Sequence, residues 1–111
     1  MEINVLKAGD VSIINCKGVF ETPECRDLSN AVKGLLKNRQ YKIVINLSGT
    51  TFFCSSGWGA ILGSLKEARF GKGDIFLAEM SKEAEAGFFM ANFNEILQFY
   101  PTVKDAIKAF C

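Results

Sequence analysis

Residues 43–62 of this chain read IVINLSGTTFFCSSGWGAIL, and this stretch decides the class of fold. It opens inside the nearly continuous apolar run of residues 41–47, which is typical of a strand covered on both faces. Apolar residues then return at the i, i+3, i+4, i+7 spacing of an amphipathic helix: Trp58, Ile61, Leu62, Leu65 and Ala68. The stretch therefore predicts a central strand, a loop over residues 48–57 and a helix that begins near Ser56.

The sequence on either side continues this alternation of strands and helices. Upstream, β-branched residues around the Ala8-Gly9-Asp10 turn predict an opening hairpin. A helix is predicted over residues 23–37, with the Thr22 hydroxyl as its cap and Pro23 at its first position. Four more elements follow the Gly71-Lys72-Gly73 turn: a strand over residues 75–78, a short helix between a Ser81 cap and a left-handed Asn92, a strand over residues 96–99, and a helix opened by Thr102.

The resulting order is ββαβαβαβα. Strands that alternate with helices predict an α/β fold, here a mixed and mostly parallel sheet of about five strands flanked by about four helices. The first strand is expected to be the antiparallel addition. In such sheets, functional residues gather on loops beyond the carboxyl ends of the strands, so the segment after residue 47 is the first place to look for a site.

Composition excludes several classes of function. The chain has 111 residues, 13 Lys+Arg against 12 Asp+Glu, and no histidine. A net charge of +1 offers no field for nucleic acid, and the lack of histidine excludes Ser-His-Asp and Cys-His catalytic units and His-containing zinc sites. Apolar runs are far shorter than the roughly 20 residues that cross a bilayer. With no C-x-x-C pair and no signal-peptide pattern, the sequence predicts a cytoplasmic protein without a membrane span.

Enzyme templates fail at the segments that come nearest to them. A phosphate-binding loop would need a glycine where Lys66 stands and a hydroxyl where Gly73 stands. A cysteine phosphatase loop at Cys54 would need an arginine where Ala60 stands. No acidic residue lies in residues 48–57, although acid–base work by carboxylates elsewhere is left open. We therefore expect no enzymatic activity, no catalytic residue, no cofactor and no metal.

Two hydroxyls, Ser55 and Ser56, stand at the start of the predicted helix. In the structural interpretation, one of them is the N-cap and accepts a hydrogen bond from a free backbone N–H, which contributes about 1 kcal/mol. In the functional interpretation, one of them is a phosphoacceptor, because a phosphate there would meet the free amides and the positive end of the helix dipole.

The window of residues 42–77 resembles the STAS domain of bacterial anti-sigma factor antagonists. In that family an apolar strand is followed by Asp-Leu-Ser, a hydrophobic stretch, Asp-Ser-Ser/Thr-Gly-Leu-Gly and a helix. Later matches are the Gly71-Lys72-Gly73 turn before a strand, the 90–93 segment before another, and the closing helix over residues 103–109. The resemblance covers nearly the whole chain and implies a single STAS-like domain over residues 1–111.

The resemblance implies a small regulatory protein that binds a serine kinase acting as an anti-sigma factor, and thereby releases the sigma factor. Phosphorylation by that kinase at the first serine of the motif, here Ser55, inactivates the protein, and a metal-dependent serine phosphatase restores it. Glu21 stands three residues after Gly18, where the family has the acidic residue of a Gly-x-x-Asp pattern. It is expected to lie close to the serine loop and to touch the kinase. The residues expected to bind the partner are Glu21, Thr22, Cys54, Ser56, Gly57 and Trp58.

The chain departs from the family pattern at three positions. Asn46 and Cys54 stand where the family has aspartates, and Trp58 stands where it has leucine. Two negative charges are thus absent near the expected phosphoacceptor, which favours the alternative of a non-phosphorylated STAS scaffold or accessory subunit of a signalling or transport assembly. Trp58 is either core packing or an interface anchor, and Cys54 is either a buried apolar filler or a thiol activated by the helix N-terminus.

Overall fold

The computed structural model describes residues 2–53 and 55–110, and within them the predicted order ββαβαβαβα is confirmed. The strands are β1 Glu2–Ala8, β2 Val11–Phe20, β3 Lys42–Phe53, β4 Asp74–Ala78 and β5 Gln98–Tyr100. The helices are α1 Thr22–Lys37, α2 Ser55–Phe70, α3 Lys82–Met90 and α4 Val103–Ala109, with a 3-10 turn at Phe93–Glu95.

The strands form a five-stranded sheet in the order β1-β2-β3-β4-β5. β1 pairs antiparallel with β2 through a turn at Gly9, whose φ of 64° is a left-handed value that glycine adopts freely. The other neighbours pair in parallel. The predicted mixed and mostly parallel sheet is therefore confirmed, with β1 and β5 as its edge strands.

Both faces of the central strand β3 are buried. Ile43, Ile45 and Leu47 point into a large cluster with α1, α2 and α3, whereas Val44 points into a smaller cluster beneath α4. Alternate side chains of a strand face opposite sides of a sheet, so covering both sides requires an unbroken apolar run. The helices that carry the larger cluster contribute these buried residues: Leu28, Val32, Ile61, Leu65 and Phe88.

The predicted loop over residues 48–57 is wrong over most of its length, because β3 continues to Phe53 and α2 begins at Ser55. β3 has 12 residues against the 10 of its neighbour β2. The pairing shifts register between Asn15 and Lys17 and again after Gly18, and each shift leaves one additional residue on β3. Gly49, which suggested a loop in the sequence, lies at the first of these bulges.

Gly49 is required there by close contact between the two strands. A Cβ on Gly49 would lie 3.0 Å from Cγ of Lys17 and 3.3 Å from the carbonyl oxygen of Cys16. The residues that follow, from Thr50 to Phe53, are β-branched or aromatic and have high strand propensity. The glycine therefore marks a bulge inside a strand rather than the end of one.

The start of α1 also differs from its prediction. Thr22 is the first residue of the helix, and Glu21 rather than Thr22 is its N-cap. The N–H of Glu21 donates to Oε1 of Glu24 at 3.1 Å, which is the reciprocal half of a capping box. A glutamate three residues into the helix thus moves the cap one position upstream.

The later boundaries agree with their predictions to within one residue, except at the start of β5. Ser81 and Thr102 cap α3 and α4, accepting hydrogen bonds at 3.1 Å from the N–H groups of Ala84 and Asp105. Asn92 is left-handed, as predicted, with a φ of 59°. β5 begins at Gln98 instead of residue 96, because Ile96 and Leu97 still donate N–H bonds to the carbonyl of Phe93. Within residues 2–53 and 55–110, none of the helices combines the length and apolar character needed to cross a membrane.

Candidate functional site

The carboxyl ends of β2 and β3 bring the starts of two helices together. Phe20 at the end of β2 pairs with Phe53 at the end of β3. Glu21 follows the first strand and leads into α1, while residue 54 follows the second and leads into α2. Because parallel strands end at the same edge of a sheet, the N-termini of α1 and α2 lie side by side at this edge, which we call the α1/α2 edge.

Ser55 and Ser56 are the first two residues of α2. The first N–H groups of a helix have no partner inside it, and the dipole of this 16-residue helix adds positive potential at the same place. The first turn of α2 contains no acidic residue. The backbone around both serines therefore favours an anion.

Glu21 lies at the α1/α2 edge with an exposed side chain. Its backbone helps to start α1, because its carbonyl oxygen accepts the N–H of Cys25 at 2.9 Å. The carboxylates of Glu21 and Glu24 thus stand near the N-terminus of α1, where the helix dipole stabilises negative charge. Thr22 is the first residue of α1, and Cys54 lies outside the described residues, so both interpretations of Cys54 stay predictions.

Gly57 and Trp58 are buried beneath the α1/α2 edge. The ring of Trp58 is 4% exposed and is tilted against Phe88 and Phe93, with centroids 5.6 and 5.7 Å away. The interpretation of Trp58 as core packing is confirmed. An interface anchor would need surface that this side chain does not present, so Trp58 fixes the start of α2 against α3.

Asn46, one of the departures from the family pattern, forms an amide pair with Asn15 across β2 and β3. Its Nδ2 donates to Oδ1 of Asn15 at 2.8 Å, and its own Oδ1 accepts the N–H of Ser48 at 3.0 Å. Both contacts lie immediately before the first bulge, so the amide holds the two strands where their register changes. Sequence reasoning singled out Asn46 but missed its partner, because a pairing across 31 positions is visible only once the register is known.

Two cysteines that the sequence left without a role lie under the same edge. Cys16 on β2 and Cys25 on α1 are both buried. Burial, with a smaller contribution from the neighbouring Cys25, raises the pKa of Cys16 to about 12. A thiol that stays protonated at neutral pH is a poor nucleophile. We therefore interpret Cys16 as a residue of the hydrophobic core and not as a reactive thiol.

The fold is that of a small α/β domain, and the chain belongs to the STAS domain family. The model of that family matches residues 2–106.

Solved structures are similar over almost the full length. A candidate anti-sigma factor antagonist from Thermotoga maritima superposes with a TM-score of 0.90 at 20% identity, covering 97% of this chain and 93% of that one. An anti-sigma factor antagonist from Mycobacterium paratuberculosis gives 0.89 at 18% identity, with 98% and 92% covered. The Bacillus cell fate determinant SpoIIAA in its phosphorylated form gives 0.76 at 17% identity, with 97% and 98% covered. At these identities the likeness establishes the fold.

Proposed function

We propose that this protein is an anti-sigma factor antagonist in a partner-switching circuit of the cytoplasm. It binds an anti-sigma serine kinase through the α1/α2 edge, with Glu21, Thr22, Cys54, Ser56 and Gly57 at or beside the contact. The observation that carries the proposal is the position of Ser55, the first residue of a 16-residue helix that starts beside Glu21. Membership of the STAS family and the names of the similar solved structures support it.

Ser55 is the proposed site of regulation. A phosphoryl group on the first residue of α2 would meet free backbone amides and the positive end of the dipole, and no carboxylate in that first turn would repel it. The fold should therefore accept the modification. That SpoIIAA has been solved in a phosphorylated form at 17% identity is consistent with a fold that tolerates it.

The switch works through charge. Before modification, the α1/α2 edge carries the carboxylates of Glu21 and Glu24 next to two uncharged serines. A phosphoserine adds about 1.5 to 2 negative charges at neutral pH, together with the volume of the phosphoryl group. A kinase surface that fits the unmodified edge would then meet excess negative charge, so the complex should dissociate. A serine phosphatase would reverse the change, and the antagonist itself would catalyse no reaction.

Intact-mass analysis tests the site. Incubation with the cognate serine kinase and ATP should add one phosphate to the wild-type chain and to Ser56→Ala, and none to Ser55→Ala. Ser56→Ala is the matched control, since it removes the neighbouring hydroxyl of the same helical turn. An unchanged wild-type mass, alongside a substrate that the same kinase does phosphorylate, would contradict phosphorylation at Ser55.

The second candidate function is a STAS scaffold or accessory subunit that is not phosphorylated. The observation that favours it is the use of Asn46, where the family has aspartate, in hydrogen bonds to Asn15 and Ser48. Together with Cys54, this leaves the segment before Ser55 without the two carboxylates of the family pattern. An unmodified mass combined with stable binding to a partner would favour this alternative.

A further inference from the structure

A crevice of about 290 Å³ opens at the carboxyl ends of β4 and β5, and the residues that line it differ from those assigned above. It lies between the β4–α3 connection, the start of α3 and the strand that forms the edge of the sheet. Its lining residues are Glu79, Met80, Glu85, Phe99, Tyr100 and Pro101. The lining is thus mostly apolar and aromatic, and it includes the carboxylates of Glu79 and Glu85.

Aromatic rings extend this lining onto the surface. The rings of Phe88, Phe89 and Phe99 meet edge to face, with centroid separations of 5.3 to 5.4 Å. Phe88 is buried, whereas Phe89 and Phe99 are 41% and 40% exposed. Glu85 and Phe89 are four residues apart on α3 and so lie on the same side of that helix. One continuous surface therefore combines exposed rings with the Glu85 carboxylate.

The charge of this crevice has one sign. One carboxylate oxygen of Glu79 accepts the N–H of Val103 at 2.9 Å, which holds that carboxylate at the rim, and Glu85 is exposed. Among the described residues that line the crevice there is no lysine or arginine. Lys82 precedes Glu85 by one helical turn but is not one of the lining residues. The result is a negative potential above an apolar lining.

We propose that this crevice binds a segment of a partner protein in which an arginine lies next to an apolar residue. The apolar side chain packs on Phe89 and Phe99, and the stem of the arginine lies along Met80 and the rings. Its guanidinium reaches the carboxylates of Glu79 and Glu85, where a planar cation can also stack on an aromatic face. Charge complementarity thus selects the occupant, and an acidic segment is excluded.

This docking surface goes beyond the proposed function and does not depend on phosphorylation. The residues that line the crevice differ from those of the α1/α2 edge, and buried Phe88 lies between Trp58 and Phe99. A partner could therefore occupy the crevice whether or not Ser55 is modified.

Titration of the isotopically labelled full chain, followed by its amide NMR shifts, tests the proposal. The probe is an acetylated and amidated pentapeptide with the sequence alanine-leucine-phenylalanine-arginine-alanine, and its control replaces arginine by neutral, nearly isosteric citrulline. The arginine peptide should give saturable shifts at Glu79, Met80, Glu85, Phe99 and Tyr100. The citrulline peptide should bind about 25-fold more weakly, the effect of two partly exposed charge pairs that each contribute about 5-fold.

A matched pair of variants assigns the charge effect to the crevice. Glu85→Gln should weaken the arginine peptide about 5-fold, whereas Glu83→Gln should leave it unchanged. Both glutamates lie in the first turn of α3, but residues two apart face different sides of a helix. Equal affinity for the two peptides, equal affinity of Glu85→Gln and wild type, or shifts that do not saturate at these residues would each overturn the proposal.

Discussion

The ring centroids of Trp58 and Phe88 lie 5.6 Å apart, and this contact joins the first turn of α2 to the last turn of α3. Both side chains are almost completely buried, at 4% and 0% exposure. The helix that begins with Ser55 is therefore anchored three residues further on by the largest side chain in the chain. This contact positions the start of α2 against α3, next to the site proposed on the first residue of α2.

Truncation of this anchor should be costly. Trp58→Ala is expected to lower the free energy of unfolding by about 3 to 5 kcal/mol, because it removes a buried aromatic group and leaves a cavity. Urea denaturation followed by circular dichroism measures the loss. Phe70→Ala is the control, since Phe70 is 91% exposed and its removal should change stability by less than about 0.5 kcal/mol. Equal losses in the two variants would show that Trp58 does not anchor the helix.

The amide pair of Asn15 and Asn46 should accept the carboxylate that is typical of the family. In Asn46→Asp one oxygen can still accept the Ser48 N–H, and the other can accept from the Asn15 amide once that side chain is rotated. We expect a change of less than about 1 kcal/mol at neutral pH, against a loss of about 1 to 3 kcal/mol in Asn46→Ala, which leaves polar groups unpaired. Urea midpoints rank the two variants. A lower urea midpoint for Asn46→Asp than for Asn46→Ala would mean that a negative charge at this position destabilises the fold.

Replacing each of two glycines by alanine should change the stability of the fold in opposite directions. A Cβ on Gly73 would lie 2.0 Å from the carbonyl oxygen of Tyr41, whereas a Cβ on Gly34, inside α1, meets nothing within 4 Å. Gly73→Ala should therefore destabilise the fold by about 1 to 3 kcal/mol through overpacking. Gly34→Ala should stabilise it by about 0.5 to 1 kcal/mol, because alanine is the better helix former. Thermal denaturation of both variants shows whether each is less or more stable than wild type. A lower stability of both variants would contradict the open environment of Gly34.

Stability should fall at alkaline pH because of one buried thiol. The pKa of Cys16 is raised in the folded protein to about 12 from an ordinary value of 9.0, so the folded state holds its proton more tightly than the unfolded state does. The stability from this group is complete below about pH 9 and declines as the pH rises towards 12, by at most about 1.4 kcal/mol per pH unit.

Comparison with Cys16→Ala isolates that contribution, since lysines and tyrosines titrate in the same range. The difference in unfolding free energy between wild type and variant, measured by urea denaturation at successive pH values from 8 upwards, should shrink. A constant difference would contradict the raised pKa of Cys16.

Most of the architecture could be read from the sequence because its signals are local. The apolar run at Ile43 to Leu47 and the helical spacing after Trp58 each lie within a few residues, and so do the Ser81 and Thr102 caps. Gly49 indicates a loop in the sequence but lies inside β3 in the structure, and the reason is physical. Whether a glycine ends a strand or forms a bulge depends on the neighbouring strand, here on Lys17, which is 32 positions away.

The candidate site could be predicted only as far as its local motif. The serines at the start of α2 follow from the sequence, but the hydrogen bond between Asn15 and Asn46 requires knowledge of the register. The burial of Cys16 against Cys25 depends on how α1 packs on β2. The crevice at Glu79 and Glu85 gave no sequence signal, because its walls come from β4, α3 and β5.

The affinity of the kinase complex tests the partner switch at Ser55 most directly. Isothermal titration calorimetry of the cognate kinase with the unmodified protein and with the protein phosphorylated at Ser55 compares the two states. The account predicts that phosphorylation weakens the complex at least about 10-fold, through added charge and volume at the start of α2. Equal dissociation constants for the two forms would contradict the switch, even if Ser55 were the residue modified.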